Sequence, residues 1–321
     1  MLVVILGMHR SGTSSVARAL YHGGMYCGSK LMNDTTSDNL LGHSESWETV
    51  NINDDILAAS GASWDRITDG WQLVVSDEHH RRIESFLADL AQHPVAGFKD
   101  PRTLLTLPAW EPHLPDYQIV ACLRHPNNVA QSLQLRHSSN DWSLERGLAL
   151  WHTYNSRLLK YVETQPNVLW YDFDRSIDDL AATLAFIYRR LGLHYERPLA
   201  TLLNSCLRHH VDGGKLDNPA IADLYETLRA QADAQFENCI RRAGDLHPTA
   251  IHKPDTLKGC ETKGLSSAEH RVSQLELLLG KYDEILQHHE SRLGQMEIQN
   301  RNLHVQLTET RRFRHRWKLP W

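Results

Sequence analysis

Residues 2–20, LVVILGMHRSGTSSVARAL, constrain this chain more than any other stretch. An apolar, largely β-branched run from Leu2 to Leu6 leads into a short polar turn bracketed by Gly7 and Gly12. Helical apolar spacing then begins at Val16, Ala17 and Leu20. Strand, glycine-bracketed loop and helix in that order converge loop N–H groups and the positive end of a helix dipole where the strand stops, which makes an anion site. A phosphate-like ligand is therefore expected. Set against the Walker pattern G-x-x-x-x-G-K-[ST], the loop reads Gly7-Met8-His9-Arg10-Ser11-Gly12-Thr13-Ser14. The glycines and the final hydroxyl are in place, but Thr13 stands where the lysine belongs, so the triphosphate of ATP is a poor match. The cation sits inside the loop at Arg10, whose planar fork suits a phosphate and a neighbouring anionic group together.

The rest of the chain bounds the partners. With 34 Lys and Arg against 39 Asp and Glu the formal charge is -5, which argues against general nucleic-acid binding and makes basic groups act locally. A chain of 321 residues, 41% apolar, is long enough for a substantial core. Cys27, Cys122, Cys206, Cys239 and Cys260 are odd in number and form no CxxC pair, so neither a disulfide framework nor a zinc site is indicated and a reducing, cytoplasmic setting is expected. The first apolar run is too short for a signal peptide and no stretch reaches the length of a membrane span, so the protein is expected to be soluble or at most peripheral.

Gly23 and Gly24 are expected to end the first helix, and residues 29–46 read as a long polar loop. Helices are predicted over 47–60, over 77–92 with Ser76 as N-cap, over 126–135 from Pro126, and over 144–162, 177–191, 198–206 and 218–242. Strands are predicted over 95–98, 117–123 and 168–171. Alternating strands and helices imply an α/β fold, P-loop-like, with a mainly parallel sheet flanked by helices and ligands at the carboxyl ends of its strands.

Residues 1–243 are expected to form this domain and residues 244–266 a linker. Over 267–310, Val272, Leu279, Leu286, Leu293, Asn300 and Leu307 recur every seven residues, with Leu275, Tyr282, His289, Met296, Leu303 and Thr310 three later. Such a register predicts a C-terminal coiled-coil helix that forms a homodimer or binds a partner, the alternative being a helix folded back on the domain. The basic and aromatic tail 311–321 has five Arg or Lys and no acid, which suits peripheral contact with an anionic membrane surface, an acidic partner, or plain solvation.

At this point the residues resemble a family. His9-Arg10-Ser11-Gly12-Thr13-Ser14 is similar to the 5'-phosphosulfate loop of sulfotransferases that use 3'-phosphoadenosine 5'-phosphosulfate (PAPS), above all the bacterial and Golgi types. In that family a strand followed by Arg, with Ser eight residues later, clamps the 3'-phosphate; Arg124 and Ser132 in CLRHPNNVAQSL stand at that spacing. GFKDPRT, from Gly97 to Thr103, resembles segments whose lysine lies near the bridging oxygen of the donor. The resemblance covers roughly residues 2–191 and not the heptad tail.

It implies that the loop from Ser11 to Ser14 cradles the phosphosulfate, that Arg10 and Lys99 neutralise the leaving phosphate, and that Arg124 and Ser132 hold the 3'-phosphate. Lys99 has a structural alternative, an ion pair with Asp100 or Glu48 that ends a strand. Arg208 sits where relatives place a late loop over the nucleotide and either touches the 3'-phosphate or belongs to an exposed basic turn. Arg102 and the segment Trp170-Tyr171-Asp172-Phe173 are expected to be structural. An acceptor hydroxyl must lose its proton to a base. In GHSESWE, Glu45 matches the family's G-[HYF]-x-E segment, and His43 and Glu48 remain alternatives. Histidine pairs lack ligand spacing, so no metal is expected. The function implied is transfer of a sulfuryl group from PAPS to an acceptor hydroxyl, on a carbohydrate such as a glycan or glycolipid, with Trp47, Trp64 and Trp71 as candidate stacking surfaces. A nucleotide or small-molecule kinase of P-loop type and a catalytically silent coiled-coil scaffold are the alternatives.

Overall fold

A computed structural model describes residues 1–32, 45–67, 70–137, 142–165, 167–196, 198–203 and 213–241, all within the unit Met1–Ala250. His43, Arg208, the linker, the heptad segment and the basic tail lie outside the described residues.

Strands β1 (Leu2–Leu6), β2 (Ala96–Lys99), β3 (Tyr117–Leu123) and β4 (Leu169–Asp172) form a sheet in the order β2-β1-β3-β4. Every pairing is parallel, with Val4 opposite Phe98 on one side and Ile119 on the other, and Cys122 opposite Tyr171. All carboxyl ends therefore share one edge. The helices are α1 (Thr13–His22), α2 (Trp47–Ala59), α3 (Asp77–Leu90), α4 (Thr103–Trp110), α5 (Pro126–Arg136), α6 (Leu144–Thr164), α7 (Ile177–Leu191) and α8 (Pro219–Gln235). This is the helix-flanked parallel α/β sheet that the alternation predicts.

The near-continuous apolar strands follow from burial on both faces. Successive side chains alternate, so Leu2, Val4 and Leu6 join one core with α2, α3, α4, α6 and α8, while Val3 and Ile5 join a second with α1 and α7. Local chemistry sets most helix ends. Ser46, Ser76, Ser143, Ser176 and Asn218 each accept a hydrogen bond from an amide of the first turn, and Gly192 ends α7 at φ 66°.

Three differences from the sequence reading stand out. Helix α4 was not anticipated, because seven of its residues are buried, from Thr103 to Leu107 with Ala109 and Trp110, and Pro108 lies inside it. A helix without a polar face shows no amphipathic period. The helix expected over 198–206 is a short 3-10 turn, Leu199–Leu202, within the described residues. Helix α8 continues as a π-helical stretch, Phe236–Arg241. The carboxamide of Gln235, at the end of α8, covers part of the edge strand β4: Nε2 donates to Trp170 O at 3.0 Å, and Trp170 N donates to Oε1 at 2.9 Å. Among the described residues no helix is long and apolar enough to cross a membrane.

Candidate active site

At the shared carboxyl edge the loop after β1 is built for close approach. A Cβ at Gly7 would lie 2.7 Å from Cys122 Cβ; at Gly12, with φ 83°, it would lie 2.4 Å from the Phe173 ring. Arg10 also takes a left-handed conformation, φ 68°, which a non-glycine residue adopts only when its surroundings hold it. Two contacts supply that hold. Arg10 Nε donates to Ser132 Oγ at 2.9 Å, and Arg124 Nη1 donates to the Arg10 carbonyl at 2.9 Å. Arg10, Arg124 and Ser132, far apart in sequence, are thus brought together. Helix α1 has Gly12 as its N-cap, which offers no side-chain cap, and no acid in its first turn, so its first amides have no capping side chain. The Ser11 hydroxyl beside them is buried and lacks a hydrogen-bond partner among the described residues.

Arg124 is aimed by a corner that follows β4. Asp174 Oδ1 lies 3.7 Å from its Nε, and the Phe173 ring centre lies 5.2 Å from its Cζ. The same carboxylate accepts from His125 N at 2.5 Å and from Asn128 Nδ2 at 2.9 Å, which ties it to the start of α5. Trp151 Nε1 donates to the Arg124 carbonyl at 3.1 Å. Below this corner burial, reinforced by the neighbouring Asp174 charge, pushes the Asp172 carboxyl up to about 6, against Arg175. The supporting role expected of the segment at 170–173 thus extends to Asp174, one residue beyond it.

Lys99 leaves the end of β2 with its ammonium buried. Its Nζ donates to Glu45 Oε1 at 2.6 Å and to Ser14 Oγ at 3.0 Å. Side-chain exposures of 1% for Lys99 and 10% for Glu45 make this a buried ion pair, and removing one partner of such a pair typically costs about 3–5 kcal/mol. Glu45 lies just ahead of Ser46, the N-cap of α2. The turn after Lys99 is bolted down by Asn53 of α2. Asn53 Nδ2 donates to Asp100 Oδ2 at 2.9 Å and Thr103 Oγ1 at 3.1 Å; its Oδ1 accepts from Thr106 Oγ1 at 2.6 Å and Trp110 Nε1 at 2.9 Å. Arg102 spans Asp100 at 2.9 Å and Asp54 at 2.7 Å, which pins the same turn to α2.

On the other flank of the loop, the His9 ring lies 4.6 Å from Trp64 and 6.0 Å from Tyr154 between centroids. Burial, then the charges of Arg102, Arg136, Lys99 and Arg10, hold its imidazole well below the ordinary value. Trp64 stacks with Trp142 at 5.8 Å and with His137 at 5.7 Å, so it belongs to a packed ring cluster. The Arg157 guanidinium lies 5.2 Å from the Trp71 ring centre, and Trp47 is 42% exposed. Of the three tryptophans singled out in the sequence, Trp47 is the exposed one.

The motifs do not mark Asn53, Asp174, Tyr154 and Trp142. Asp174 could have been found from Trp170-Tyr171-Asp172-Phe173-Asp174, where a second acid follows the strand end; the others carry no local signal. Among the described residues no group of three or more His, Cys, Asp or Glu is placed to hold a metal ion. Three cations, uncapped amides and a buried carboxylate suit an anionic group and a proton transfer beside it.

No curated protein matches the chain. Solved structures to which it is similar include three sulfotransferases. The sulfotransferase domain of the Synechococcus PCC 7002 olefin synthase is 16% identical, with a TM-score of 0.46 over 71% of this chain and 94% of that one. The sulfotransferase domain from the curacin biosynthetic pathway is 15% identical, with a TM-score of 0.45 over 71% and 96%. Sulfotransferase STF1 from Mycobacterium tuberculosis H37Rv is 14% identical, with a TM-score of 0.37 over 70% and 76%. The model of the Sulfotransferase family matches residues 3–197, more than half of the 321, and spans the loop after β1 together with Glu45, Lys99, Arg124 and Ser132. The chain therefore belongs to the sulfotransferase family.

Proposed function

We propose that the chain transfers a sulfuryl group from PAPS to a hydroxyl of a carbohydrate acceptor, a glycan or glycolipid. One observation carries the reading: Arg10, Lys99 and Arg124 gather with the uncapped start of α1 at a single sheet edge. The residues fit a donor that carries several negative charges. The buried Ser11 hydroxyl lacks a partner among the described residues, and Gly7 and Gly12 let the loop pack tightly against Cys122 and Phe173.

In this reading the amides from Ser11 to Ser14 hold the phosphosulfate, with Arg10 beside it. Arg124 and Ser132 hold the 3'-phosphate, and Arg208 adds to that contact. His9 completes the loop. The donor supplies the sulfuryl group; this chain supplies position and charge, which dominate transfers of this type. Lys99 neutralises the leaving phosphate oxygen. To do so its ammonium must turn from the Glu45 carboxylate toward the donor. Glu45, released from the pair, then accepts the proton of the acceptor hydroxyl as the new S–O bond forms. The heptad segment 267–310 pairs with a second copy and the tail 311–321 meets an anionic surface. Buried free Cys27 and Cys122 suit a cytoplasmic protein.

Transfer of label from PAPS by wild type and Glu45→Gln tests the assignment. The variant is expected to keep stabilisation by 3'-phosphoadenosine 5'-phosphate (PAP) and to lose transfer by about 100-fold or more. Undiminished transfer would remove Glu45 from the mechanism.

A further inference from the structure

The Lys99 ammonium stands between two parts of the site that the proposed reaction uses in turn. On one side its Nζ donates to Ser14 Oγ at 3.0 Å, in the first turn of α1 beside the anion cradle. On the other it donates to Glu45 Oε1 at 2.6 Å. With side-chain exposures of 1% and 10% the pair is shielded from water, so little screening separates the two charges and each sets the state of the other.

The two partners differ in freedom. Glu45 is fixed through its backbone: its carbonyl accepts from Met32 N at 2.7 Å, Leu31 and Ser46 form an antiparallel bridge, and Trp47 N donates to Lys30 O at 3.0 Å. Ser46 then caps α2. Lys99 carries its charge on a flexible four-carbon stem, and the contact with Ser14 already brings that charge to the cradle. Lys99 is therefore the partner that moves. Arg102 also acts on Glu45, but Asp100 at 2.9 Å and Asp54 at 2.7 Å hold it in the turn after β2. Both of those carboxylates act on Glu45 as like charges.

We infer that donor and base compete for this one ammonium, so that an anion in the cradle draws Lys99 from Glu45 and uncovers the base only once the donor is bound. In the empty site Lys99 neutralises the Glu45 carboxylate, which is then a weak proton acceptor. With the donor in place Glu45 keeps its two acidic neighbours and loses much of its cation. A buried carboxylate in that state takes up a proton more readily, and the same change makes it the stronger base toward an acceptor hydroxyl. The inference rests on the sulfotransferase reading and adds the order in which its groups come into play.

The test measures PAP binding to the full chain by calorimetry in buffers of different ionisation enthalpy, which counts the protons taken up. Competition makes Glu45→Gln the tighter binder. A buried cation without its carboxylate gains most from an incoming anion, and PAP affinity is expected to rise by about 10-fold. Near pH 7 wild type should take up more protons on binding than Glu45→Gln does, so its affinity falls faster as pH rises. The phosphates of PAP contribute to both proteins, and the difference belongs to Glu45. Glu45→Asp keeps the charge but shortens the reach to Lys99; its affinity is expected between the other two, and it carries the comparison if Glu45→Gln does not fold. Affinity equal to or below wild type in either Glu45 variant overturns the inference, since a pair that merely braces the cradle gives weaker binding when it is broken. So do equal proton counts in wild type and Glu45→Gln. A wild type that PAP does not bind fails at the sulfotransferase reading itself, and the inference falls with it.

Discussion

Two buried polar regions flank the loop after β1, and they are built on opposite principles. Around Asn53, carboxamide, carboxylate, hydroxyl and indole groups satisfy one another, and Asn53 uses two donor contacts and two acceptor contacts. Around Trp64 the rings pack well but His9 Nε2 and Trp142 Nε1 are left over. A satisfied network in a low-dielectric interior rigidifies, here fixing the turn that carries Lys99 against the helix that follows Glu45. An unsatisfied one stores a cost that only a partner relieves. The contrast separates a polar network that holds the turn of Lys99 still from a packed ring cluster whose two buried nitrogens have no partner among the described residues.

The comparison breaks first, if it breaks, at Asn53. Asn53→Ala leaves Trp110 Nε1 and Asp100 Oδ2 without their partner, while Asp100 Oδ1 keeps Arg102 and Thr106 Oγ1 keeps the Arg102 carbonyl, and the expected loss is about 3–5 kcal/mol in denaturant unfolding. A loss below about 1 kcal/mol would show that the hub is not the fastening described above.

Asp172 is an intermediate case, and pH sharpens it. Its folded value of about 6 exceeds the unfolded value of about 3.9. The native state therefore binds this proton more tightly, and the carboxyl costs stability increasingly as pH rises from about 4 to above 6. Asp172→Asn is expected to be more stable than wild type at pH 7.5 by about 1–3 kcal/mol, with the difference vanishing near pH 4. An equal difference at both pH values would contradict the burial argument. The smallest effect belongs to the ring cluster. Since its nitrogen has no partner to lose, Trp142→Phe should change the stability of the ligand-free chain by no more than about 1 kcal/mol in either direction. A clear loss would mean that the indole N–H is already satisfied.

The same contrast explains what could be read before the fold was known. The loop after β1 and the pair Arg124 and Ser132 are legible because each is a local strand–turn–helix unit with its chemistry at fixed spacing. Helices such as α3 and α7 carry their own caps at Ser76 and Ser176. The strand order carries no such local mark. Helix α4 is hidden because burial on nearly all sides erases its period. The Asn53 hub joins residues 47 to 57 positions apart, so no window contains it. Trp64 reads as a candidate stacking surface for a ligand and is instead packed by His9, His137 and Trp142, all distant from it in sequence. Long-range partners decide both regions, and only one of the two leaves atoms over.

The most direct measurement is the thermal melt of the full wild-type chain with PAP, alongside ATP and magnesium. At about 100 times its dissociation constant PAP should add about 2.7 kcal/mol of stability, a rise of roughly 5–10 °C for a domain of this size, and ATP with magnesium should add much less. No shift with PAP, or a larger one with ATP, would contradict a phosphosulfate site at this sheet edge.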